Sequence, residues 1–444
     1  MKTIFKNLFF ASLILTGFSV FSQNNRSLDN YREPDKDGLN VFESPKDTLS
    51  TFENVKVRIG GQSTLQFQAI DHENGVSQDL IDAGTVMPLK DIGYNFNLAT
   101  ANLDLDVALA KGIRMHLRTY LSSRHHPEPY VKGGYFQIDN LEFISEGLLT
   151  NVMKYTTVKI GHMENNYGDT HFRRSDNAQT IYNPFVGNLI MDAFTTEVGA
   201  ELYYQRNGFI GMVGFSNGKL NQAVNTGSNG KTGGAAFLAK LGYDKQLNED
   251  LRLRLTGSVY TTGYVPSSYL YTADRAGSRY YFVMEDADAS AKSQFRSGRF
   301  DPGFKNRITA IMFNPFLKYG GLEFFGTLEF AQGRADSEDN NMDGIVNTKD
   351  DNRSTTQLAG EVLYRFGQTE NFYIGGRYNT VSSELSSGDD IDINRFQLSA
   401  GYFLTKNILA KIEYVSQKYD GYPEANILYD GKFSGLMVEA AISF

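Results

Sequence analysis

Over Ala101–Leu121 the sequence reads ANLDLDVALAKGIRMHLRTYL, with hydrocarbon at every second position on both sides of Lys111-Gly112. Leu103, Leu105, Val107 and Leu109 alternate with Asp104, Asp106, Ala108 and Ala110, and Ile113, Met115, Leu117, Thr119 and Leu121 alternate with Arg114, His116, Arg118 and Tyr120. A helix does not gather such a pattern onto one face, whereas a strand must, because its successive side chains point to opposite sides. A three-residue turn, Ala110-Lys111-Gly112, sets apolar against apolar and places Gly112 where a hairpin needs positive φ. It predicts Leu109 opposite Ile113, Val107 opposite Met115, Asp106 opposite His116 and Asp104 opposite Arg118. One side of the ribbon is then continuous hydrocarbon and the other carries acid–base pairs. A soluble sandwich turns the hydrocarbon inward, and a membrane barrel turns it to lipid and the charges to a lumen.

The rest of the chain repeats the same grammar. Val55, Val57, Ile59, Leu65 and Phe67 share one face of a long strand, with Lys56, Arg58, Gln62, Gln66 and Gln68 on the other. The phase of the next strand flips between Leu98 and Ala101, which predicts a bulge. Short turns are readable at Lys111-Gly112, Asn207-Gly208, Gln246–Asp250, Tyr319–Gly321, Gly367–Asn371 and Thr405–Asn407, with a less clear one near Gly147–Met153. Long polar segments fall near 71–91, 122–134, 164–195, 217–234, 265–305, 332–355, 382–391 and 417–433, and 265–305 has room for a further hairpin. Turns on one side and loops on the other give an all-β chain: a transmembrane antiparallel β-barrel of about sixteen strands over 55–444, with short periplasmic turns and long extracellular loops. The 32 Phe, 26 Tyr and 43 Gly against 10 Pro suit aromatic girdles and glycine turns.

Residues 1–22 have the form of a signal peptide, with Lys2 and Lys6, an apolar run from Leu8 to Val20 and Val20-Phe21-Ser22 before Gln23. Their removal takes away two lysines and no acid, so the net charge of −8 becomes −10. An acidic total argues against nucleic acid as a partner. The absence of cysteine excludes a disulfide scaffold and thiolate zinc sites. Residues 23–54 are polar and aperiodic, which predicts a mobile periplasmic extension, with a lumen plug as the lesser alternative.

The chain ends on Leu436, Val438, Ala440, Ile442 and Phe444. This amphipathic strand with a terminal aromatic resembles the C-terminal assembly signal of Gram-negative outer-membrane proteins. Together with the signal peptide and the asymmetry of loop lengths, it resembles the porin class over nearly the whole mature chain, most closely the sixteen-stranded phosphate-selective porin O and P group. The resemblance implies an outer-membrane location, contact with lipid and lipopolysaccharide, insertion by the barrel-assembly machinery, and a homotrimer as one assembly. It also implies passive diffusion of small hydrophilic solutes, with an inward-folded third loop and basic residues favouring anions such as phosphate. A surface-binding or adhesion barrel with a blocked lumen is the alternative.

Candidate site residues follow from the lumen-facing phase. The expected pore lining and constriction comprise Asp104, Asp106, Arg114, His116, Arg118, Lys240, Arg252 and Arg254 on the walls. Arg173, Arg174 and Asp176 join them from the third loop, Glu164–Thr195, whose arginines either meet anions or pair with Asp169 and Asp176. Further inward wall groups are Lys56, Arg58, Arg365, Arg377, Arg395, Glu197, Glu201, Glu323, Glu329, Glu361, Glu413 and Glu439. Asp339, Asn341, Asp343, Ile345, Asn347 and Asp350 fall at the ligand positions of a calcium loop, with Gly344 at position six. The stretch resembles dockerin loops, which also end in Asp, and it makes Ca2+ the one cofactor to consider. No nucleophile elbow, P-loop or HExxH motif occurs in the chain, so no enzymatic activity is expected.

Overall fold

The computed structural model describes residues 26–47, 49–122, 129–218, 234–263, 265, 268–272, 279–335 and 352–444. The strands are β1 (Lys56–Glu73), β2 (Asn95–Phe96), β3 (Thr100–Ala110), β4 (Ile113–Ser122), β5 (Tyr130–Ile138), β6 (Thr156–Glu164), β7 (Thr196–Arg206), β8 (Phe209–Ser216) and β9 (Ala236–Gln246). They continue with β10 (Leu251–Thr262), β11 (Asn306–Tyr319), β12 (Leu322–Arg334), β13 (Arg353–Phe366), β14 (Phe372–Glu384), β15 (Asp390–Thr405), β16 (Ile408–Asp420) and β17 (Lys432–Ser443).

All pairings are antiparallel between neighbours in the chain, and β1 pairs with β17 to close the ring. β2 and β3 pair with β1 in succession and are two parts of one stave, so the closed barrel has sixteen strands. The break between them is the bulge that the phase flip predicts. Pairing shifts by one residue between Phe67↔Phe96 and Thr64↔Thr100, and the intervening Asn97 amide donates to the Gln66 carbonyl.

The opening ribbon has the expected register over most of its length, with Val107↔Met115, Asp106↔His116 and Asp104↔Arg118. At its tip Ala110, and not Leu109, pairs with Ile113, so Leu109 is the extra residue of a bulge. Gly112 takes φ 70°, and Asn207 and Gly208 take 52° and 90°, the positive values that tight hairpins require. Six of the short turns fall where expected; the one near Gly147–Met153 does not, because β5 ends at Ile138 and β6 begins at Thr156, joined by a longer connection that holds the helix Thr150–Met153. The 382–391 segment shrinks to a connection of a few residues, because β14 runs to Glu384 and β15 starts at Asp390.

Hydrocarbon faces outward. Leu241, Leu255, Phe313, Phe330, Leu358, Phe396 and Leu398 are exposed, while their alternating neighbours Lys240, Arg254, Glu329, Gln357, Arg395 and Gln397 are buried. This is the inside-out distribution of a chain whose solvent outside is lipid. No helix among the described residues is long and apolar enough to cross a membrane.

Two expectations need correcting. Residues 26–47 are not a loose extension. They lie within the barrel, where Phe42 packs against Phe172, Phe316 and Phe325 and Tyr31 donates to Asp106 at 2.9 Å. An aperiodic polar segment is held there because its polar groups find partners among the inward charges. The inward face is also not uniformly polar. Toward the loop ends Ile70, Ile308, Val381, Ile391, Ile393 and Val415 point inward and are fully or almost fully buried. They seat apolar side chains of two loops that fold into the lumen, Glu164–Thr195 and the described part of 265–305. The latter contains no hairpin among its described residues. It contributes Leu270, Tyr271, Tyr280, Val283 and Met284 to the same apolar cluster.

Candidate functional site

The site is the lumen between the charged wall and the segments inside it. The third loop enters as the sequence suggests, and Phe185, Leu189, Ile190, Met191 and Phe194 are all buried. Wall side chains satisfy its backbone one group at a time. Glu413 accepts from the Val186 and Gly187 amides at 2.7 and 3.2 Å, Asn379 accepts from Ile190 at 2.7 Å and Gln357 accepts from Met191 at 3.0 Å. Lys411 donates to the carbonyls of Thr180, Asn183 and Phe185 at 3.0–3.1 Å. A buried loop must place every backbone group, and here strand side chains do so.

Arg173 and Arg174 are engaged inside this structure. Arg173 lies 3.7 Å from Glu323 and 3.5 Å from Glu361 and donates to Asn40. Arg174 is bonded to Asp192 at 2.6 Å and Asp176 at 3.2 Å and stacks on Phe194. Their partners therefore include Asp176 but not Asp169. Asp169 turns to β10 and β9, accepting from Arg254 at 2.8 Å and Lys240 at 3.0 Å. Glu43 of the N-terminal segment completes that cluster, 2.7 Å from Arg254 and 3.6 Å from Lys240. Burial opposes the Glu43 carboxylate, yet Arg254 and Lys240 outweigh it and hold the group down at about 2. Burial likewise opposes Asp169, and the same two cations keep it well below the ordinary carboxylate range. Arg252 faces the lumen farther down and forms a two-pronged pair with Asp244 at 2.7–2.8 Å.

The ribbon pairs of β3 and β4 are inward as expected. Arg118 makes a two-pronged bond to Asp104 at 2.7–2.8 Å, and Asp106 receives His116 at 2.8 Å and Arg114 at 3.4 Å. They border an open cavity between the β3–β6 wall, the third loop and the N-terminal segment. Arg32, Arg114, Arg118, Lys132, Lys159 and His116 line it, against Asp104, Asp106, Glu164 and Asp176. Arg32 comes from the segment expected first as a periplasmic extension and only second as a lumen plug. It stacks 3.6 Å from the Tyr182 ring centroid and donates to the Gly38 and Phe172 carbonyls. No carboxylate is bonded to it among the described residues.

The remaining wall residues face inward with one exception. Lys56 is exposed at the mouth, where it donates to the Ser27 carbonyl at 2.7 Å. Sequence reasoning missed Arg279, Arg299 and Glu43, since nothing in an aperiodic loop marks a side chain as bound for the lumen. Arg299 shares Asp192 with Arg174 at 2.6 Å, and Arg279 donates to Glu439. The calcium-like positions Asp339, Asn341, Asp343, Ile345, Asn347 and Asp350 lie outside the described residues.

No family model matches the sequence, and no curated protein matches it. Solved structures do share its fold. An anion-selective porin from Comamonas acidovorans is similar at 11% identity and TM-score 0.50, over 88% of this chain and 100% of that one. The in-vitro folded outer-membrane protein OmpT of Vibrio cholerae gives 12% and 0.48 over 90% and 100%, and the outer-membrane channel DcaP of Acinetobacter baumannii gives 12% and 0.47 over 88% and 98%. At such identities the likeness is one of fold: this chain is a closed sixteen-stranded antiparallel barrel of the outer-membrane porin type.

Proposed function

We propose that the protein is an outer-membrane channel for passive diffusion of small hydrophilic solutes, with a mild preference for anions. The supporting observation is the division of the wall: hydrocarbon outside, and inside a charged lumen whose β3–β6 cavity is bordered by more cations than carboxylates. Arg173 and Arg174 are held by acids and contribute little net field. The β4 arginines are likewise paired with Asp104 and Asp106, so the preference rests on Arg32 and Lys159 beside the cavity. Solutes would pass along the β3–β6 wall beside the third loop.

Conductance in planar bilayers tests this. Discrete steps with a reversal potential of weak anion preference in a salt gradient are expected, and clear cation preference overturns the selectivity. A second reading, a surface-binding barrel with a blocked lumen, is favoured by the three segments packed inside the ring, and the absence of any steps selects it.

Assembly as a homotrimer belongs to the same proposal. β5, β6 and β8 have only 9, 9 and 8 residues against 16 in β15, so their flank is the one a second copy would cover. Cross-linking in detergent reads the number of copies. Calcium binding by residues 339–350 rests on the spacing of oxygen ligands alone. A titration in which calcium gives that loop no protection from proteolysis removes it.

A further inference from the structure

We infer that residues 26–47 form a second constriction, a strap across the short-turn end of the lumen, which sets the size of solute passed; this rests on the channel reading. The segment is an inserted loop with a closed neck. Asn30 and Asp47 exchange reciprocal backbone-to-side-chain bonds, both 2.7 Å, and Asp29 accepts from the Ser50 and Thr51 hydroxyls at 2.5 and 2.7 Å. Entrance and exit therefore sit together, and the residues between them project into the barrel.

The strap reaches nearly all the way around the ring. Tyr31 bonds to Asp106 on β3, Lys46 donates to the Thr156 carbonyl on β6, and Glu43 holds Arg254 on β10. Asn40 donates to Glu323 on β12, the Lys36 amide to the Lys406 carbonyl between β15 and β16, and Ser443 to the Pro34 carbonyl. Anchors on opposite walls make it a bar across the mouth and not a lining along one side. A cavity lies on each flank. The first is the β3–β6 cavity, bordered by Tyr31 and Arg32. The second opens at the turns of β10–β13, bordered by Lys36, Leu39 and Asn40. A third cavity lies at the neck, bordered by Asn30, Lys46 and Asp47, and a solute that passes the third loop would leave through such openings beside the strap.

Arg254 binds Asp169 of the third loop with one edge and Glu43 of the strap with the other, so loss of the strap leaves the Arg254–Asp169 bond in place while removing the strap's contacts with Phe172, Arg173 and Tyr182. The wall bonds of Val186, Ile190 and Met191 do not involve the strap. Deleting residues 27–50 should raise single-channel conductance roughly twofold or more, as an aqueous lumen freed of one obstruction requires. In liposome swelling it should admit sugars that the full chain excludes. Lys36→Cys is the second variant and carries the sole thiol of the chain, which has no cysteine. A bulky neutral thiol reagent on it should lower conductance by closing the β10–β13 opening.

An unchanged conductance and size limit in a folded deletion barrel overturns the inference. If that barrel does not fold, an unchanged current after confirmed labelling of Lys36→Cys overturns it. A silent full chain with a conducting deletion supports it in its strongest form. Silence from both sinks the channel reading and the strap with it.

Discussion

Arg254 is completely buried on β10, and its guanidinium is bonded on both sides by carboxylates from two separate inserted segments. A buried ion cluster fixes geometry more than it adds net stability, but removing one member leaves the others unpaired. Arg254→Met should therefore cost about 3–5 kcal/mol in guanidinium unfolding of the lipid-reconstituted barrel. The cluster also gives the strap a pH dependence. Glu43 lies lower in the folded chain, at about 2, than its ordinary 4.5, so its contribution is complete above that ordinary value and is lost as pH falls toward about 2. Proteolysis of the strap should accelerate over that window, and Glu43→Gln should flatten the dependence while weakening the strap by about 1–3 kcal/mol. The wall partner of this cluster was readable from the alternation around Leu253 and Leu255. Glu43 was not, because its destination depends on a residue more than two hundred positions away.

Strands that meet lipid on one face and charge on the other carry their period openly, and so most elements, turns and the bulge after Leu98 were legible. The period falls silent where both neighbours are protein. Ile391 and Ile393 share the phase of Arg395 yet are apolar, because they join the apolar cluster built with the inserted loops, and no local signal announces that cover. The same seating explains Gly401 on β15. A Cβ there would stand 2.3 Å from the ring of Tyr373, which lies across it and donates to the Pro184 carbonyl of the third loop at 2.9 Å. Gly401→Ala should cost about 1–3 kcal/mol by overpacking. In combination with Tyr373→Ala the costs should add to less than their sum, since the alanine then has room. Melting of the two single variants and the double variant measures this.

At the scale of the whole barrel, the organising fact is which side meets lipid. Leu398, near the middle of β15, is outward and half exposed. Leu398→Arg should destabilise the barrel by about 2–4 kcal/mol in bilayers, the depth-dependent cost of a cation on the lipid face. Gln397→Arg on the same strand would test the lumen instead. The barrel class was legible from loop lengths and alternation together, while the filling of the lumen was legible only for the third loop, because the 26–47 and 265–305 segments carry no period that gives them an address.

The seam between the first and last strands has a consequence for how the molecule can be made. Gly61 and Phe444 exchange both backbone bonds at 3.0 Å, and β1 and β17 stay in register from Gln62 to Glu73. The ladder of the closed hoop runs through this join without a gap, so a permuted chain that begins at residue 208 and joins Phe444 to the strap should refold in detergent to the same hoop, even though it no longer ends on the aromatic strand. Until the last stave arrives, however, half of β1 offers bare amides and carbonyls to any passing strand, and the unfinished sheet is the form most prone to stick.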